Sequence, residues 1–229
     1  MTLQVLSTHA VKDVMDELAG ALDRAAGEPV SFSYDPSNVL KRRIEGGEAF
    51  DVAFATRAAL DDFARQGKIA AASIVDLGRS GLGLSVRKGA ARPDISTADK
   101  FARVLLGAKS VVRSRDGASG IYFGMLLERL GIAGEMQGKI ILGPSGRVAE
   151  LAAGGEAELA VQQVSELLPV QGADYVGPLP EELQLYTMFS AGIGTRCKNR
   201  EAATKLVASL RTLAALALFK AKGLEPAPN

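Results

Sequence analysis

Hydrophobic residues in the first third of the chain follow two alternating spacings. Short apolar runs such as "LQVLS" (Leu3 to Ser7) have the length and composition of buried strands. Between these runs, apolar residues recur at helical spacing, as from Val11 to Leu22. The pattern predicts strands at 3–7, 28–34 and 50–55 and helices at 11–22, 36–47 and 56–69. Such β-α-β-α-β-α order is typical of a mostly parallel sheet covered by helices.

The segment from Ile74 to Gly89 interrupts this rhythm with two strand-like pieces around "GRSG". The alternation then resumes, and a second long strand is predicted near 183–194. Further helices are predicted at 96–107, 119–130, 146–154, 200–211 and 213–222, and further strands at 109–113, 139–142 and 158–163.

The two long strands indicate how the chain divides. If each one carries the chain between two lobes, lobe 1 consists of residues 1–79 plus 190–229 and lobe 2 of residues 80–189. The predicted fold class is therefore α/β, with two lobes whose mixed, mostly parallel sheets are joined by a two-stranded hinge. The alternative is one continuous doubly wound sheet.

Composition removes several function classes. The net charge of +1, the 5% aromatic content and the absence of Trp argue against nucleic acid as a partner. With one cysteine (Cys197) and one histidine (His9), neither a disulfide framework nor a multi-histidine metal site is expected. No cofactor is predicted, and no P-loop or nucleophile elbow marks a catalytic residue.

No run of 18 apolar residues predicts a membrane span, and the N-terminus lacks the pattern of an export signal. The protein is therefore expected in the periplasm if a signal peptide has been removed, and otherwise in the cytoplasm. We expect a monomer.

Four strand-to-helix turns share a small, hydroxyl-rich character, namely "LSTHA", "SYDPSN", "FATRA" and "RSRDGASG". Ligands of open α/β sheets bind at the carboxyl ends of strands, where helix starts offer free backbone N–H groups. Ser and Thr before a single helix are usually caps, but four such turns together predict a site for a small anion. Ser119 and Gly120 would let the backbone approach it closely.

Several segments resemble the bacterial extracellular solute-binding proteins of the molybdate-binding type, which have the type II periplasmic binding protein fold. The resemblance covers nearly the whole chain and is carried by "LSTHAVKDVMDELAGAL", "VLKRRIEGGEAFDVAFAT", "DLGRSGLGLSVRKGA" with "PDIST", "DGASGIYFGMLLERLGI", "VAELAAGGEAELAVQQVSEL" and "LFKAKGLEP". It implies two lobes that close on an oxyanion in the cleft between them and a membrane transporter, of the ABC type, as a partner.

The resemblance also implies which residues contact the ligand. It points to the turns carrying Ser7, Thr8, Ser37, Asn38, Ser119, Ser145 and Gln163. The predicted site also includes five residues that the resemblance does not assign, namely His9, Thr56, Arg79, Ser80 and Gly120.

One departure from the family pattern bears on the ligand. Gln163 falls where molybdate binders carry a tyrosine, and arginines 79, 113, 115 and 147 are expected near the site. Arginine favours planar carboxylates through bidentate pairing, whereas a tetrahedral oxyanion needs a small nest of donors. An organic acid with several carboxylates is therefore expected.

Two functions remain open at this point. The first is a binding protein that closes on its anion without chemistry. The second is a metal-free isomerase of a tricarboxylate, because relatives in the same branch resemble aconitate isomerase. Such a reaction needs one proton-transfer group, for which the candidates are His9, Lys12, Tyr122 and Glu166. A regulatory effector domain is disfavoured, since no helix-turn-helix segment flanks the α/β body.

Overall fold

A computed structural model describes residues 2–226. It divides into two compact units: unit 1 comprises residues 1–80 and 187–229, and unit 2 comprises residues 81–186. Met1 and residues 227–229, which the predicted lobe 1 includes, lie outside the described residues.

Unit 1 contains a five-stranded sheet in the order β2-β1-β3-β10-β4. Its strands are β1 (Leu3–Thr8), β2 (Val30–Asp35), β3 (Val52–Thr56), β4 (Val75–Ser80) and β10 (Thr187–Ile193). Strand β1 is parallel to β2 and β3, and β10 is antiparallel to β3 and β4. The helices are α1 (Lys12–Ala26), α2 (Ser37–Glu45), α3 (Arg57–Arg65), α9 (Arg200–Ser209) and α10 (Leu213–Ala221). Short 3₁₀ turns lie at His9–Val11 and Ala71–Ser73.

Unit 2 has its own five-stranded sheet in the order β7-β6-β8-β5-β9. Its strands are β5 (Leu82–Arg87), β6 (Val111–Ser114), β7 (Ile140–Gly143), β8 (Leu159–Gln163) and β9 (Ala173–Pro178). Strand β6 is parallel to β7 and β8, and β5 is antiparallel to β8 and β9. The helices are α4 (Ala98–Gly107), α5 (Ala118–Arg129), α6 (Ala133–Met136), α7 (Val148–Gly154) and α8 (Val164–Leu167), and a 3₁₀ turn covers Glu181–Leu183.

Each sheet is buried by helices on both of its faces. In unit 1, Val5 and Phe54 face α1 and α9, whereas Leu6 and Ala53 face α2 and α3. In unit 2, Val111 and Val161 pack with α4 and α5, and Val112 and Ala160 pack with α7. Burial on both faces explains why these strands are almost continuously apolar in sequence.

The mixed α/β fold with two sheets that the hydrophobic pattern predicts is confirmed. The pattern missed β9 and the four-residue helices α6 and α8. Strand β9 is only half-buried along its length and ends in "GP", so its sequence lacks the apolar run by which the other strands are recognised.

Among the described residues, no single helix is long and apolar enough to cross a membrane. Helices α9 and α10 meet that test only as a pair, and they are bent by 63° at the break between them.

Candidate anion-binding site

The carboxyl end of β6 places a serine hydroxyl under the first turn of α5. Ser114 is 1% exposed, and its Oγ has no hydrogen-bond partner among the described residues. Helix α5 begins after Gly117, so no side chain caps its first N–H groups. The first turn of a helix has no intrahelical acceptors for these N–H groups, and it carries the positive end of the helix dipole. Uncapped N–H groups and a free hydroxyl therefore occupy the same end of the strand.

Two glycines allow this close approach. A Cβ on Gly120 would lie 1.9 Å from the carbonyl oxygen of Ser114 and 2.5 Å from its Oγ. A Cβ on Gly117 would lie 2.6 Å from Ser114 Oγ and 2.9 Å from Ser145 Oγ. The hydroxyls of Ser114 and Ser145 therefore both lie close to Gly117, at the start of α5. Ser145 Oγ is also buried and has no partner in the described part of the chain.

Strand β8 adds an amide side chain to the polar groups of unit 2. Gln162 is 1% exposed, and neither Oε1 nor Nε2 of its amide has a partner among residues 2–226. It lies opposite Gly83 of β5, while the predicted ligand contact Gln163 lies opposite Leu82 and is 2% exposed. Ser114 and Gln162 are not among the residues predicted for the site. The available signal was a polar residue at the carboxyl end of an apolar run.

The carboxyl edge of unit 1 carries the other predicted contacts. Ser7 and Thr8 end β1 and are 0% and 3% exposed, respectively. The Ser7 hydroxyl donates to the carbonyl oxygen of Thr8 at 3.0 Å, whereas Thr8 Oγ1 has no partner among the described residues. Thr8 does not cap the 3₁₀ turn that follows it, so that helix start is also open. The parallel register sets Thr8 beside Asp35, the last residue of β2.

His9 opens this 3₁₀ turn, and its Nδ1 is buried without a partner in the described residues. Burial lowers the pKa of the imidazole below its usual value; Asp35 opposes this effect and Lys12 adds to it. Burial acts in this direction because it penalises the charged form. A neutral imidazole therefore lies beside the open start of the turn at neutral pH.

The remaining predicted residues of unit 1 lie at the same edge of its sheet. Ser37 and Asn38 are the first two residues of α2, which follows Pro36 and has no side-chain cap. Thr56 ends β3 and caps α3, because its Oγ1 accepts from the N–H of Ala59 at 3.3 Å. Ser80 is fully buried at the end of β4, opposite Thr187. Thr56 is thus the one member of this group that the structure shows serving as a helix cap.

Among the other helices, α4, α9 and α10 have side-chain caps, whereas α1, α6, α7 and α8 do not. Thr97, Asn199 and Thr212 each accept a hydrogen bond from a backbone N–H in the first turn of α4, α9 and α10. The starts next to Thr8, Pro36 and Gly117 also lack a side-chain cap, and they lie at the carboxyl ends of strands.

Three of the arginines expected near the ligand have partners within the protein. Arg79 pairs with Glu225 at 3.2 Å, and Arg147 Nε donates to Glu150 at 2.7 Å. Arg113 Nη1 donates to the carbonyl oxygen of Gly120 at 2.8 Å, and burial lowers the pKa of its guanidinium group. These contacts give no support to the argument that arginines select carboxylates here.

The remaining candidates for proton transfer, and the single cysteine, are each held within an element or by a contact of the fold. The ammonium group of Lys12 pairs with Asp16, and the hydroxyl of Tyr122 donates to the carbonyl oxygen of Leu183 at 2.9 Å. Glu166 lies in the short helix α8. Cys197 is half-buried, and burial together with nearby Asp51 raises the pKa of its thiol to about 11, so it is a poor nucleophile at neutral pH.

Within residues 2–226, no group of three or more His, Cys, Asp or Glu side chains is arranged to hold a metal ion. At the start of α5, the structure brings together two hydroxyls and uncapped N–H groups. These groups suit a small anion.

Comparison with known proteins identifies the family. The family described as bacterial extracellular solute-binding protein matches residues 3–225. The chain belongs to this family. Its fold is also that of solved solute-binding proteins. The periplasmic molybdate-binding protein of Azotobacter vinelandii has a TM-score of 0.83 at 19% identity, with 99% of this chain and all of that protein covered.

Two further members of this structural group show which ligands the fold accommodates in other proteins. The sulfate-binding protein SubI of Mycobacterium tuberculosis has a TM-score of 0.77 at 14% identity, covering 99% of this chain and 87% of that one. The binding protein AgtB of Agrobacterium, solved with agropinic acid, has a TM-score of 0.71 at 13% identity, covering 97% and 82%.

A curated relative is much more similar in sequence. An aconitate isomerase from a Pseudomonas species is 35% identical over 233 aligned positions, which cover 99% of this chain and 88% of that enzyme. The solute-binding family therefore includes an enzyme with clear similarity to this chain.

Proposed function

We propose that this protein binds a small organic polycarboxylate and that the open start of α5, with the hydroxyls of Ser114 and Ser145, binds one of its carboxylates. The observation that carries the proposal is the start of α5, where uncapped N–H groups lie against the unsatisfied hydroxyls of Ser114 and Ser145. Backbone N–H groups and the helix dipole stabilise negative charge at such a position.

The proposed class of ligand is supported by sequence similarity rather than by the arginines. The 35% identical relative is named for aconitate, a tricarboxylate, whereas the molybdate- and sulfate-binding proteins are below 20% identity. Unit 1 offers Thr8 and the start of α2, and unit 2 offers Ser114, Ser145 and the start of α5.

Calorimetric titration with citrate, cis-aconitate, trans-aconitate and tricarballylate, and with molybdate and sulfate, tests this proposal. We expect saturable binding of at least one tricarboxylate and none of the two inorganic anions. A thermal shift should accompany it, since ligand at 100 times its Kd stabilises a protein by about 2.7 kcal/mol. If molybdate or sulfate bound and no tricarboxylate did, the proposed class of ligand would be wrong, but the proposal of an anion site would still be supported.

As a solute-binding protein, it would act outside the cytoplasmic membrane and deliver its ligand to an ABC-type permease. The family assignment supports this role. Fractionation of the native host tests the location: the protein is expected in the periplasmic fraction, and recovery only with cytoplasmic markers would argue against uptake.

A second function, isomerisation of a tricarboxylate by proton transfer, is favoured by two observations. One is the 35% identical aconitate isomerase, and the other is the buried, neutral imidazole of His9 beside an open helix start. A neutral imidazole can remove a proton from the carbon next to the double bond and return it at the other end, while nearby N–H groups stabilise the enolate-like charge.

Proton NMR of cis- and trans-aconitate in heavy water separates the two functions. An isomerase interconverts the two isomers and exchanges deuterium into the methylene group, and His9→Gln should reduce that rate by about 10²-fold or more with little change in binding. Binding without exchange above background would leave the solute-binding function alone.

A further inference from the structure

The first two turns of helix α5 carry apolar residues on the outward side as well as on the inward side, whereas its last turn exposes Glu128 and Arg129. Phe123, Leu126 and Leu127 lie in the core of unit 2. On the outward side, Ile121 and Met125 are one helical turn apart, and they are 39% and 58% exposed. A group of exposed apolar side chains marks a candidate interaction surface.

The outward side of α5 borders a groove of about 890 Å³ that belongs entirely to unit 2. The exposed Leu142 comes from β7, the edge strand of the sheet, and completes an apolar surface with Ile121 and Met125. We call the three exposed apolar residues together with Arg115 and Glu128, which also line the groove, the α5–β7 face.

The two charged residues of this face are of opposite sign, and both are exposed. Neither Arg115 nor Glu128 forms an ion pair with another described residue. The third charged residue that lines the groove, Arg113, is half-buried and donates to the carbonyl oxygen of Gly120.

A surface that carries one free cation and one free anion around an apolar centre is complementary to itself. Under two-fold rotation, Arg115 meets Glu128 of the partner subunit, and the reciprocal pair forms at the same time. An acidic peptide would gain Arg115 but would be repelled by Glu128, so charge complementarity favours a second copy over such a partner.

We propose that the protein forms a two-fold symmetric homodimer through the α5–β7 face. The exposed apolar residues form the centre of the interface, and the two Arg115–Glu128 pairs form its polar rim. This assembly departs from the monomer expected from the sequence. It does not depend on the ligand or on the proposed function.

Sedimentation velocity of the full chain over a concentration series up to about 100 μM tests this proposal. The wild type should approach twice the 23.9 kDa mass of the chain. Arg115→Glu and Glu128→Arg should each weaken dimerisation by about tenfold or more, because each places like charges opposite one another. The double variant restores opposite charges and should recover the wild-type association.

Two further variants make the result specific. Met125→Gln should weaken the dimer without changing the urea unfolding of the monomer, because that side chain is already exposed in a single copy. Arg103→Glu, on the exposed side of α4, is the matched charge reversal outside the face and should leave the mass unchanged. A wild type that stays monomeric at 100 μM would overturn the proposal. So would single variants that dissociate the dimer when the double variant does not restore it.

Discussion

Ser114 carries a buried hydroxyl that makes no hydrogen bond to any described residue. An unsatisfied buried polar group costs about 1–3 kcal/mol, so a hydroxyl kept only for the fold would be hard to explain here. Ser114→Ala is expected to leave the free energy of unfolding of the ligand-free protein unchanged or raised by up to about 1 kcal/mol, and to weaken polycarboxylate binding about tenfold. Urea unfolding and calorimetry measure the two effects separately.

The control for Ser114 is a serine that is fully bonded. Ser73 Oγ donates to the carbonyl oxygen of Ala70 at 2.6 Å and accepts from the N–H of Ile193 at 2.8 Å. Ser73→Ala should therefore lower the free energy of unfolding by about 1–2 kcal/mol and leave the affinity intact. If Ser114→Ala were the destabilising variant, its hydroxyl would have a structural role.

His9 gives the folded protein a measurable dependence on pH. Its pKa is lowered in the folded state, so between the usual imidazole pKa of about 6.5 and the lowered value only the unfolded chain takes up the proton. The stability of the wild type relative to His9→Gln should therefore fall as the pH drops below about 7.

Because the sequence contains a single histidine, no other imidazole contributes to that difference. Urea unfolding of both proteins between about pH 5 and 8 measures it, near the usual imidazole pKa. A difference that grows in favour of the wild type at low pH would show that the pKa is raised instead.

At the residue level, the sequence indicated residues in turns better than residues in strands. Thr8, Ser37 and Ser119 stand out because they precede or begin a predicted helix, where small polar residues are informative. Ser114 and Gln162 were not selected because each lies beside another polar residue, Arg113 or Gln163, at the carboxyl end of its strand. Whether a hydroxyl is satisfied depends on neighbours brought in by the fold, so no local pattern could reveal it.

The start of α5 depends on how closely it approaches β6. Gly120→Ala would place a Cβ 1.9 Å from the backbone oxygen of Ser114, and because both atoms belong to regular elements neither can yield cheaply. We expect a loss of about 1–3 kcal/mol in the free energy of unfolding and a loss of ligand binding.

Gly107→Ala provides the comparison, since that position is also helical and has nothing within 4 Å of the added Cβ. It should be neutral or slightly stabilising in the same urea experiment, because alanine has the higher helix propensity. Equal stability of the two variants would mean that α5 can move away from β6.

At the level of elements, the hydrophobic pattern works where both faces of a strand are buried. The runs at β1, β3 and β8 are mostly apolar and were predicted as strands. Strand β9 was missed because it is half-buried at the edge of its sheet and its residues neither alternate nor form an apolar run. Its pairing with β5 is a tertiary contact between segments distant in sequence, which a local pattern does not contain.

The two units differ in whether their chain is continuous. Unit 2 is one segment with a complete sheet and its own apolar clusters, so the fragment 81–186 should fold alone. The fragment 2–80 should not, because it lacks β10, which lies between β3 and β4. Circular dichroism and urea unfolding of each fragment measure this. A cooperative transition of residues 2–80 would show that β10 is dispensable.

The central place of β10 in the first sheet has a consequence for biosynthesis. Strands β3 and β4 leave the ribosome early, but the strand that joins them is translated only after all of unit 2. During that interval the facing edges of β3 and β4 have no neighbour, and unpaired strand edges promote aggregation of nascent chains. The second unit can therefore be complete before the first one closes, and the amino-terminal segment is the part of the chain that most needs protection by a chaperone.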